Sequence, residues 1–228
     1  MEGIALGTVL AEWCALGVAA VLAYTALRAR HVGSGPFWSW LRIRESRRVT
    51  RALVANFDIM VRTLCMLLGF GWFIDRSALL GDVVLAANHV LLQLIGFSAF
   101  VLDGFAFVAE SQVGAALGAH SRAAFRRAVV RTSELAALAA ALLALAIWGL
   151  GELAVRALTD LEPVRALVRE SMPLSALYVL VGVAAFQLDG VFIGATRTRE
   201  MRNASALSVA IFLGASSMLT RAYGNTGL

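Results

Sequence analysis

The chain has 228 residues, 60% of them hydrophobic and only 15% charged, against roughly 45–50% apolar and about a quarter charged in a soluble domain. An apolar excess of this size does not fit one core, because a small domain leaves much of its surface in water; a soluble enzyme, a coiled coil, a disordered tail and a disulfide scaffold are excluded, and the chain needs a bilayer as its second solvent. The net charge of +5 is carried by arginine alone, without a single lysine, and the arginines fall in gaps between apolar stretches, as topology signals do and a nucleic-acid stripe does not.

At about 20 residues per membrane-crossing helix, six spans are predicted, near 3–27, 50–74, 83–110, 128–151, 171–196 and 203–222. The expected fold class is therefore all-α, a polytopic membrane helix bundle. The first span holds Glu12 and Cys14. Neither a charged n-region before it nor a small-residue cleavage site after it appears, so it does not read as a signal peptide. Cys14 and Cys65 lie far apart in apolar stretches without paired spacing, which favours buried structural thiols over a disulfide or a metal site.

The connection 28–49 is the longest and most basic. Arg28, Arg30, Arg42, Arg44, Arg47 and Arg48 face only Glu45, and Phe37, Trp38 and Trp40 add the aromatic type that settles at headgroup level. It reads either as an interfacial amphipathic segment held against anionic lipid or as a solvated linker.

An ionisable side chain at mid-membrane costs roughly 2.5–3.5 kcal/mol on insertion scales, so each one is a functional hypothesis. Asp58 and Arg62 stand four apart on the second span, share a face and can pair; a structural lock between helices and a role in transport both remain open. The third span carries Asn88, Gln93 and then Asp103 within Leu102-Asp103-Gly104-Phe105, with Glu110 at its end. Glu134 lies inside the fourth span without an evident partner in its own helix. Pro173 is expected in the first turn of the fifth span, where a missing N–H is harmless. That span also carries Gln187-Leu188-Asp189-Gly190-Val191, repeating the Leu-Asp-Gly tripeptide. The alternative reading of the amides is plain helix–helix hydrogen bonding.

The arginines also assign sides. The connections near Arg42, near Arg122, Arg126 and Arg127, and near Arg197, Arg199 and Arg202 are basic and so cytoplasmic; those near Asp75 and Asp160 are acidic or neutral and face outward. Strict alternation then places Met1 outside, and the Gly224-Asn225-Thr226-Gly227 turn reads as leading into another helix. The expectation is a fragment with spans missing at both ends. His31, His89 and His120 are scattered, and no HExxH, CxxC, P-loop or nucleophile-elbow pattern occurs. No enzyme, no metal site and no cofactor are expected.

Three sets of residues share one likeness: Asn56-Phe57-Asp58-Ile59-Met60-Val61-Arg62-Thr63-Leu64; Gly81-Asp82 with Leu85-Ala86-Ala87-Asn88; and Leu102 to Glu110. Together with Phe186 to Arg197 and Met201-Arg202-Asn203, they resemble the multidrug and toxic compound extrusion (MATE) transporters, specifically the DinF-like branch. The likeness implies one part of a twelve-span, two-lobed transporter, with these stretches as spans six to eleven. Residues 1–27 would be the last span of the N-terminal lobe, 28–49 the basic cytoplasmic link between lobes, and 50–228 most of the C-terminal lobe.

It further implies secondary efflux of cationic or amphipathic compounds by proton- or sodium-coupled antiport, in the bacterial inner membrane, with the missing lobe and the bilayer as partners and no nucleic acid. Asp189 would stand for the family's acid on span ten. Asp58 and Arg62 lie where other branches carry a glutamate, which leaves that position unassigned. With Asn88, Asp103 and Gln187 these are the candidate ion- or substrate-binding residues. In alternating access two lobes rock about a central cavity, and a carboxylate facing it is desolvated, which eases its protonation. Two competing readings are a flippase for lipid or polysaccharide precursors in the same superfamily, and a non-transporting membrane subunit whose polar residues only join helices.

Overall fold

The computed structural model describes residues 2–30 and 46–227, and those residues are helical almost throughout. The Phe37-Trp38-Trp40 cluster, Arg42 and Arg44 lie outside the described residues, and with them most of the expected interfacial segment. The chain divides into two units, Met1–Thr50 and Arg51–Leu228. The first contains α1 (Glu2–Arg30), which is apolar on every face and long enough to cross a membrane from Leu6 to Arg28.

The second unit contains the body of α2 (Ser46–Leu79), then α3 (Asp82–Gly118), α4 (Arg122–Leu158), α5 (Glu162–Gly194), α6 (Thr198–Tyr223) and a closing 3₁₀ turn, Gly224–Gly227. Each of these five helices is also long and apolar enough to span, so the chain is a multi-pass membrane protein. The helices run well past the predicted spans. At 37 residues, α3 and α4 are each about 55 Å long, against a hydrocarbon core of about 30 Å. The segments 111–118 and 152–158 were expected as connections because they are polar. They stay helical because their residues are good helix formers and pair along the helix, Glu152 with Arg156 at 2.6 Å for example.

The same effect corrects the reading of Pro173. Glu162 and Pro163 start α5, so Pro173 lies inside the helix rather than in its first turn. It removes one backbone bond, that to the Arg169 carbonyl.

The backbones of α3, α4 and α5 pack most closely. α4 turns a stripe of small residues, Ala128, Thr132, Ala136, Ala140 and Ala144, inward at four-residue spacing, which lets neighbouring helices approach. One apolar cluster joins Ala87 and Leu91 to Val155, Val164, Val168 and Met172; a second joins Leu102 to Ala140, Ala144, Ile147, Ala176 and Val179. Gly151 leaves the space that the Met172 thioether fills. On α5, Gly190 and Gly194 meet the backbone carbonyls of Ala106 and Glu110 on α3, where a Cβ would collide. The two helices are parallel at that contact, since both sequences advance together.

The outer faces remain apolar and exposed, as at Phe100 (80%) and Leu153 (72%), which is what lipid covers. Cys14 is exposed and Cys65 half-buried; neither is the buried thiol expected from sequence, because each lies on an outward face that is apolar for lipid rather than for a core. The turns after α3 and α5 share one geometry. His120 and Thr196 take positive φ (52° and 55°), and the next N–H reaches back to Ala116 and Phe192 respectively, closing each helix without a glycine.

Candidate functional site

α2 bears two ionic contacts one turn apart, and they leave it in different directions. Asp58, 2% exposed, accepts a hydrogen bond from Thr198 Oγ1 at 3.0 Å and from Arg202 Nη1 at 2.6 Å. Thr198 is the first residue of α6, so the carboxylate also faces the positive end of that helix dipole. Arg202 sends its remaining N–H groups to Asn203. Arg62 instead pairs with Asp189 on α5. The expected Asp58–Arg62 pair is therefore not formed: sharing one face put both side chains within reach of other helices, whose partners are better placed.

Arg62 and Asp189 are 26% and 24% exposed, so the pair is neither sealed in a core nor freely solvated. Asp103 on α3 is half-buried and is the carboxylate that acts electrostatically on Arg62 besides its direct partner. One guanidinium thus stands among acids from two further helices. The repeated Leu-Asp-Gly tripeptides supply both acids but are not equivalent in the fold. Leu102 is buried and Gly104 has open space beside it, whereas Leu188 is exposed and Gly190 is packed on α3.

Gln187, two residues before Asp189, is 5% exposed, and neither its Nε2 nor its Oε1 has a hydrogen-bond partner. A buried primary amide without partners costs a desolvation penalty of about 1–3 kcal/mol. Asn88 stands apart from this group. Its Nδ2 donates to Ser77 Oγ at 2.7 Å and to Asn225 Oδ1 at 2.8 Å, tying the end of α2, the start of α3 and the 3₁₀ turn together. Gln93 is exposed. Glu134 has a partner after all, Arg131 at 3.5 Å one turn earlier in its helix.

Sequence reasoning missed Thr198 and Arg202. Arg202 closes the Arg197–Arg199 run and reads there as a topology charge; nothing local tells that α6 begins beside Asp58. The Gly190–Gly194 spacing was a readable sign of close helix approach.

Fold and site together define a polytopic membrane protein in which ionisable groups of the described residues pair across helices. The family model described as MatE matches residues 59–224, and the chain belongs to that family. Its members are transporters, not enzymes. Over 215 residues the chain is 34% identical to the DNA damage-inducible protein F of Escherichia coli (strain K12), an overlap of 93% of this chain and 45% of that protein. The chain thus spans less than half the length of this relative. No solved structure matches it.

Proposed function

We propose that these helices form part of a secondary active efflux transporter that exports organic cations by proton- or sodium-coupled antiport in the bacterial inner membrane. The observation that carries this reading is the partly exposed Arg62–Asp189 ion pair between two spanning helices, with the Asp103 carboxylate on a third. Arg62 serves as a built-in surrogate for the cargo. It holds Asp189 when no external cation is bound, and a cationic substrate must displace it. Protonation of Asp189 removes the attraction and leaves Arg62 to Asp103, so proton and substrate compete for one carboxylate. A ligand that bound both states equally would shift nothing; the swap supplies the difference. Sodium would act at Asp189 in the same competitive way.

A flippase for anionic precursors needs cationic side chains free to meet its cargo. Arg62 and Arg202 are each neutralised by a carboxylate, which favours the cation exporter. A subunit that never transports would use both pairs only as joints between helices.

The protein, expressed from its complete gene and reconstituted in liposomes, is expected to move an organic-cation dye against an imposed proton or sodium gradient. Dye flux that ignores both gradients would contradict antiport. Flux of a lipid-linked sugar without flux of the dye would favour the flippase.

A further inference from the structure

α2 and α6 run parallel in fixed register. Asp58 bonds Arg202 and Trp72 Nε1 donates to Ser216 Oγ at 3.3 Å, each pair separated by 144 residues. One turn beyond Trp72, the same separation brings Arg76 to Thr220, and there the ladder changes. Arg76 Nε and Thr220 Oγ1 are both buried and both lack a partner. The Arg76 Nε–H only donates, while Thr220 Oγ1 can donate as well as accept; one acceptor placed between them takes a hydrogen from each.

A cavity of about 180 Å³ lies at that rung, lined by Arg76, Leu79, Leu80, Ser217, Thr220 and Arg221. The Arg76 guanidinium is stacked on the Trp72 ring at 4.1 Å, which fixes its plane. Arg221 makes no ion pair among the described residues. Arg76 is ion-paired at long range with Asp75, whose oxygen is 4.0 Å from Nε and whose side chain is 65% exposed; Asp75 does not line the cavity. Two guanidiniums, one hydroxyl donor and no carboxylate make a receptor for a phosphate oxygen.

The position says which phosphate. The cavity lies at the far ends of α2 and α6 from the Asp58–Arg202 contact, and its lining residue Leu79 is 70% exposed. An amphiphile with an anionic head and apolar tails matches that sequence of surfaces. We infer that Arg76, Thr220 and Arg221 bind the phosphate of an anionic phospholipid, which closes the α2–α6 ladder at its open end. The site is independent of the cargo and of the Arg62–Asp189 pair.

The test titrates the protein, expressed from its complete gene and purified in detergent, with phosphatidylglycerol, phosphatidylcholine and inorganic phosphate. Native mass spectrometry reads retained lipid and a thermal-shift assay reads stability. Phosphatidylglycerol is expected to be retained and to raise the unfolding temperature. Arg221→Gln should cut its retention about fivefold, the isosteric Thr220→Val should weaken it in the same direction, and Arg221→Lys should keep most of it. Arg126→Gln, at the opposite end of the bundle, should change nothing. The assignment is overturned if phosphatidylcholine is retained equally, if inorganic phosphate alone reproduces the shift, or if neither Arg221→Gln nor Thr220→Val lowers retention in folded protein.

Discussion

Asp58 and Asp189 are both ionic partners of arginines on other helices, yet their surroundings predict different fates on substitution. Asp58 is sealed, with a hydroxyl and a guanidinium fixed on it. Removing one member of such a pair leaves a charge without its counter-ion, at a cost of about 3–5 kcal/mol. Asp58→Asn should therefore lower thermal stability of the purified protein markedly, and Arg202→Gln should lower it less because Arg202 is 29% exposed. Asp189 is partly accessible, so Asp189→Asn should lower the unfolding temperature by much less than Asp58→Asn does. Asp103→Asn should reduce transport by less than Asp189→Asn, since Asp103 reaches Arg62 only at a distance. The identity of the candidate acids was legible, because a carboxylate in an apolar run stands out. Their partners were not. Asp58 meets Arg202 through a register between helices, and local periodicity holds no information about it.

At the scale of elements, glycine and its substitutes decide how closely helices approach and how they end. A Cβ on Gly194 falls on the Glu110 carbonyl, whereas one on Gly104 meets nothing within 4 Å. Gly194→Ala should therefore destabilise the α3–α5 contact by about 1–3 kcal/mol, and Gly104→Ala should be nearly neutral, both read by thermal unfolding. Thr196 is β-branched and held at φ 55°, a conformation costing roughly 1–2 kcal/mol for an L-residue. Thr196→Gly should raise the unfolding temperature. Helix existence was plain from composition, because an apolar run of this length has few other stable forms in a bilayer. Helix ends were less plain. Hydropathy reports where lipid stops, while the hydrogen-bonded helix continues into water as far as its side chains support it, as at Glu152–Arg156 and Glu152–Arg169.

For the whole molecule, α2 is attached to the packed helices chiefly through polar contacts: Arg62 to α5, Asp58 and Trp72 to α6, and Ser77 to α3. A helix joined by bonds that can exchange partners can shift without unpacking an apolar core, which an alternating-access cycle requires. The arginine pattern adds a topology that single cysteines can test. An impermeant thiol reagent applied to intact cells should label sites beside Asp75 and Asp160 but not those beside Arg126 and Arg199; labelling at Arg126 would reverse the assignment.

In the proposed transport cycle Asp189 exchanges Arg62 for proton and cargo. The most direct test is efflux of an organic-cation dye from cells expressing the complete gene with Asp189→Asn, at surface expression matched to the parent protein. The amide keeps the shape of the side chain and one acceptor oxygen, and it removes the charge. Loss of efflux with insertion intact is the predicted result. Normal efflux would reduce the Arg62–Asp189 pair to a joint between two helices.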